Sequence, residues 1–111
     1  KILGVSLLTS LDDSDTRELY NNDFKKQFDN LINLAMETKI DGIVCSSQEL
    51  ELIKDTSLIK VVPGIRNQHT FDDQKRVMTS GEAYSKGADY IVVGRPITQA
   101  KEIGEAIKDY S

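Results

Sequence analysis

Two short segments combine residue types that suit the binding of an oxyanion: Pro63-Gly64-Ile65-Arg66 and Gly94-Arg95-Pro96-Ile97-Thr98. In each, a glycine is followed within two residues by an arginine. Glycine lets backbone N–H groups approach an anion closely, and arginine offers a planar fork of donors that engages two oxygens at once. That combination suits a phosphate, and two aligned pairs are a stronger signal than one. The competing reading is that Gly64 and Gly94 only make turns and that the arginines pair with surface carboxylates. Between the two segments runs a long polar stretch holding Asn67, Gln68, His69, Asp72, Asp73, Gln74, Lys75 and Arg76. It suits either a loop that closes over a ligand or a solvated connection.

Other chemistry is less well supplied. His69 is the single histidine, so a metal site would need a carboxylate set that the sequence does not offer, and no metal is expected. Cys45 is the single cysteine, which excludes an internal disulfide framework or a cysteine-based zinc cluster. It lies inside an apolar run and reads as a small core residue rather than a nucleophile. Ser46 and Ser47 lack a surrounding G-x-S-x-G elbow and read as helix caps.

The elements that must position these residues are legible from periodicity. Ile2 to Leu8, Gly42 to Cys45, Leu58 to Val62 and Tyr90 to Val93 are continuous apolar runs, as buried strands of a parallel sheet require. Phe24, Phe28, Leu31, Ile32 and Ala35 form one stripe of a helix over about Asn22 to Thr38. Ser46 with Glu49, and Thr79 with Glu82, are S/T-x-x-E capping boxes that open two further helices, and Gly87 is placed to end the second. Ala100, Ile103, Ala106, Ile107 and Tyr110 are spaced for a last helix. The order is βα four times, an α/β arrangement of residues 1–111 with no linker to split it. Two architectures fit: a small doubly wound, flavodoxin-like sheet, or half of a (β/α)8 TIM barrel. Either one binds ligands at the carboxyl ends of its strands, where both glycine-arginine segments fall. If the chain is a C-terminal half-barrel, they occupy the last two loops, which frequently hold phosphate in barrel enzymes.

Composition bounds the partners. In 111 residues, 39% are hydrophobic and 29% charged, which fits one domain. Fourteen basic against 18 acidic residues give a net charge of −4, so no general attraction to nucleic acid or anionic membrane is expected. No stretch approaches about 18 consecutive apolar residues, so no membrane span is expected. With no basic segment ahead of a short apolar run, the expected setting is cytoplasmic. Lys1 leads straight into the apolar run Ile2-Leu3-Gly4-Val5, which reads as part of a longer polypeptide.

Five blocks together, Leu8-Thr9-Ser10, Asp41-Gly42-Ile43-Val44-Cys45-Ser46, Val62-Pro63-Gly64-Ile65-Arg66, Asp73-Gln74-Lys75-Arg76 and Val93-Gly94-Arg95-Pro96-Ile97-Thr98, resemble the second half of bacterial orotidine 5′-phosphate decarboxylases. The resemblance covers essentially the whole chain and implies four βα units forming strands 5 to 8 of a TIM barrel. It implies conversion of orotidine monophosphate to UMP and CO2, in de novo pyrimidine biosynthesis, without metal or organic cofactor. It matches Thr9 to a position on the base side of the nucleotide, Arg66 and Gln74 to ligand-binding positions of the seventh loop, and Gly94 and Arg95 to the phosphate grip. Its implied partners are the nucleotide, an N-terminal half-barrel and a second subunit in a homodimer.

One departure is large. The family's catalytic Asp/Lys network has a D-x-K-x-x-D signature from early strands. Asp23-Phe24-Lys25 and Asp73-Gln74-Lys75 begin that pattern, but Phe28 and Met78 stand where its second aspartate belongs. The 111 residues alone are therefore expected to be inactive, a binding half without the catalytic one. A non-catalytic phosphate-binding half-barrel module and a related phosphosugar lyase are the alternatives.

Overall fold

A computed structural model of the chain describes residues 1–7, 11–67 and 78–111. Its strands are β1 (Leu3–Val5), β2 (Gly42–Val44), β3 (Ile59–Val62) and β4 (Tyr90–Ile91). Its helices are α1 (Asp13–Tyr20), α2 (Phe24–Thr38), α3 (Ser80–Ser85), α4 (Arg95–Thr98) and α5 (Ile103–Asp109), with a 3-10 helix at Ser47–Ile53. The sheet runs β1-β2-β3-β4, and every pair is parallel. A doubly wound sheet reverses its strand order at a switch point. This sheet never reverses, so the flavodoxin-like alternative is excluded and the half-barrel order stands.

The register assigns each residue to a face. Gly4, Ile43 and Lys60 lie in one row, with Val62 and Ile91 in the next, while Val5, Val44, Val61 and Tyr90 line up on the opposite side. The first face is covered. Ile43, Lys60 and Val62 are buried there, and Phe28, Ile32 and Ala35 of α2 form one core with Ile43 and Val62. The second face is open, with Val5 60% and Tyr90 62% exposed. A barrel requires this asymmetry, because its helices all lie outside and its inner face meets only the other strands.

α2 forms where its apolar stripe requires, with Asp23 as N-cap accepting from the Lys26 N–H at 2.8 Å. The Thr79–Glu82 box closes in both directions, Glu82 N–H to Thr79 Oγ1 and Thr79 N–H to a Glu82 carboxylate oxygen. Gly87 takes φ +102°, and the bonds from Gly87 N–H to Tyr84 and from Ala88 N–H to Ala83 make a Schellman ending. Gly42 permits close strand packing, since a Cβ there would lie 2.5 Å from the Ile59 carbonyl oxygen.

Several expectations are corrected. The strands are shorter than their apolar runs: Ile2, Cys45, Leu58, Val92 and Val93 lie outside the strand bounds, although the Cys45 and Val92 N–H groups still donate across to Val61 and Val62. The segment opened by Ser46 is a 3-10 helix rather than an α-helix. Ser46 Oγ accepts from Gln48, one residue earlier than a capping box requires. The last helix does not begin at Ala100. Arg95–Thr98 forms its own short helix and α5 starts at Ile103. α1 has no counterpart in the periodicity because its buried residue is Thr16 and not an apolar stripe. Its start is a reciprocal cap between Asp12 and Asp15.

Candidate functional site

The two glycine-arginine segments leave neighbouring strands. β3 and β4 pair in parallel, and the Val92 N–H donates to the Val62 carbonyl at 2.9 Å, one residue beyond β4. Both segments therefore emerge at the carboxyl end of the sheet, side by side. After β3 the chain turns through Gly64 at φ +75°, a backbone conformation that disfavours any residue with a Cβ. Ile65 is then fully buried and forms an isolated parallel bridge with Met78. The core thus anchors the residue before Arg66, and the Arg66 N–H donates to the Met78 carbonyl at 3.0 Å. The Arg66 guanidinium donates through Nη1 to the Ile65 carbonyl. Its neighbour Asn67 donates from Nδ2 to the Asp109 carbonyl and accepts at Oδ1 from the Ser80 N–H.

After β4, Gly94 has φ −101° and ψ −101°, neither extended nor helical, and a Cβ there would meet nothing within 4 Å. The space beside its backbone is open. Arg95 begins α4, and Pro96 fits that first turn because its missing N–H costs nothing there. Bonds from Ile97 and Thr98 to the Gly94 carbonyl, and from Gln99 to the Arg95 carbonyl, hold the turn closed. Arg95 and Gly94 are both exposed. Arg66, Gly94 and Arg95 thus share one end of the sheet, whereas Thr9, Gln74 and the polar stretch 68–77, with His69, lie outside the described residues.

The remaining candidates have structural roles. Cys45 is 1% exposed, and burial, reinforced by the Glu49 charge and opposed by that of Lys60, pushes its thiol up to about 12. At neutral pH it stays protonated and inert. Asp23 caps α2, and Lys25 pairs with Asp29 at 3.3 Å on the helix surface, which accounts for the partial D-x-K match there. Lys60 is buried on the helix-covered face, where Nζ donates to the carbonyls of Leu58 and Thr56. Among the described residues no three His, Cys, Asp or Glu side chains gather to hold a metal, and no helix is long and apolar enough to cross a membrane.

The sheet order, its one covered face and the placing of candidate groups at strand carboxyl ends define a β/α-barrel type of protein. The chain belongs to the orotidine 5′-phosphate decarboxylase / HUMPS family, whose model matches residues 1–110. It is 45% identical over 107 residues to the orotidine 5′-phosphate decarboxylase of Aquifex aeolicus, covering 91% of this chain and 46% of that protein. The Streptococcus sanguinis enzyme of the same name is 44% identical, with 96% and 49% covered. The crystal structure of orotidine 5′-phosphate decarboxylase from Lactobacillus acidophilus superposes with a TM-score of 0.77 at 29% identity, over 99% of this chain and 49% of that one. The chain spans about half the length of the curated relatives it matches.

Proposed function

We propose that the chain is the substrate-binding half of an orotidine 5′-phosphate decarboxylase. Together with a preceding half-barrel it converts orotidine monophosphate to UMP and CO2 in pyrimidine biosynthesis. The observation that carries this reading is the pair of glycine-arginine segments on adjacent strands, held together at Val62 and Val92. Arg95 and the open backbone at Gly94 grip the phosphate. Arg66 and Gln74 bind the nucleotide from the loop before it, and Thr9 lies on the base side. The C6 carboxylate leaves as CO2, its bonding pair stays on C6, and a proton delivered there completes UMP. The Asp/Lys groups for that step come from the preceding half, and neither metal nor organic cofactor takes part. A grip on the distant phosphate still lowers the barrier when its binding energy is realised at the reacting carbon. The complete protein acts as a cytoplasmic homodimer. Named relatives of this chain being decarboxylases favours this over a phosphosugar lyase or a non-catalytic module.

The test is a single polypeptide joining the first half of the Aquifex aeolicus relative to residues 1–111. It is expected to form UMP, whereas residues 1–111 alone are not. A folded joined polypeptide that binds no UMP and gives no turnover overturns the proposal.

A further inference from the structure

One residue beside Arg66 is tied to two distant parts of the chain. The Asn67 backbone N–H donates to Tyr110 Oη at 3.0 Å, its Nδ2 donates to the Asp109 carbonyl at 2.7 Å, and its Oδ1 accepts from the Ser80 N–H at 2.8 Å. Ser80 is the first residue of α3, so this acceptor satisfies a donor that the helix itself leaves unpaired. Only an amide side chain presents a donor and an acceptor in this way. An aspartate would lose the donor, and an aliphatic residue both. Tyr110 is a fixed anchor, because its ring packs partly buried against the core and its own N–H bonds to the Ile107 carbonyl.

We propose that Asn67 and Tyr110 are positioning residues for Arg66, so that the turn ending α5 is part of the substrate grip although it touches no substrate. This rests on the reading of Arg66 as a nucleotide-binding residue. Arg66 is tied at its own N–H to Met78, on the other side of the polar stretch. That bond and the Ile65–Met78 bridge set its distance from the sheet but leave the direction in which its backbone proceeds to the next residue. Asn67 supplies that direction by holding its own peptide N–H on the Tyr110 hydroxyl and its side chain between α3 and the chain end. The bonds span 13, 42 and 43 residues, so they join a loop to two elements that local folding does not bring near.

The experiment measures kcat/KM and UMP affinity for N67A, Y110F and R66A, and for the doubles with R66A, with residues 1–111 carried whole in the joined polypeptide. N67A is expected to lower both about tenfold, the usual worth of one or two lost bonds, and Y110F somewhat less. Because both act through Arg66, each is expected to cost less than about twofold in the R66A background. Y110F keeps the ring and tests the same contact should N67A fail to fold. If R66A leaves kcat/KM and affinity unchanged, the reading of Arg66 fails and takes this proposal with it. If R66A weakens both but N67A and Y110F do not, or if their effects persist undiminished without Arg66, the positioning role alone is overturned.

Discussion

The Val92 N–H reaches the Val62 carbonyl at 2.9 Å, so β4 keeps its alignment with β3 to the point where both chains turn out of the sheet. The segments leaving Val62 and Val92 are then fixed relative to each other by backbone alone. Arg66 and Arg95 follow those segments, so the ladder places both at the same end of the sheet.

Arg95→Ala is expected to weaken UMP binding by about 2 kcal/mol while leaving uridine binding almost unchanged, since charge-assisted bonds to a dianion are the strong kind. Calorimetric titration of the joined polypeptide with both ligands checks it. Equal losses for the two would remove Arg95 from the phosphate.

Gly64→Ala places a Cβ at φ +75° and is expected to cost about 1–2 kcal/mol of stability. Urea unfolding gives the loss. The same change is expected to lower UMP affinity, because Gly64 directs the chain toward Arg66.

Phe28 is 1% exposed and its ring stacks on that of Phe24 with centroids 6.4 Å apart. Phe28→Ala is expected to destabilise the fold by about 3–5 kcal/mol, the range for removing a buried ring. A shift in the urea midpoint with unchanged slope is the expected result.

The Asp41 carboxyl is held below the usual carboxylate range, chiefly by the N–H of Ile2 and also by the side-chain charge of Lys1. A depressed acid contributes stability that is present above its unfolded value and disappears as pH falls through the folded one. Acid titration of stability is therefore expected to show this contribution intact at neutral pH and lost below about pH 4, and Asp41→Asn is expected to flatten that limb.

With Val5 and Tyr90 more than half exposed on the open face, and with β1 and β4 ladder edges unpaired within the sheet, residues 1–111 alone are expected to self-associate. Sedimentation velocity decides this. A compact monomer across a wide concentration range would refute the edge argument.

Legibility in the sequence tracked the strength of the periodic signal. Phe28, Ile32 and Ala35 announced α2, and Thr79 with Glu82 announced α3, because in each case the spacing and the physical contact are the same thing. Strand lengths were overread, since Leu58 and Val93 are apolar for packing and not for pairing. α1 escaped because it buries Thr16, which periodicity does not count, although Asp12 and Asp15 carried a reciprocal cap. At the candidate site, Gly64, Arg66, Gly94 and Arg95 are visible from residue type. Asn67 was visible only as one polar residue among many. Its bonds run to Ser80, Asp109 and Tyr110, and no local pattern announces partners so far along the chain.

The two faces of the sheet also imply two different tolerances to mutation. Ile43 and Val62 already make their contacts within these residues, so substitutions there register at once as lost stability. Val5 and Tyr90 contact mostly solvent, and replacing them with polar residues is expected to leave this chain as stable as before or more soluble. The same replacements placed inside a closed barrel would bury polar groups at its centre. A mutational scan of residues 1–111 alone is therefore expected to score as neutral the very positions that closure of a barrel would bury.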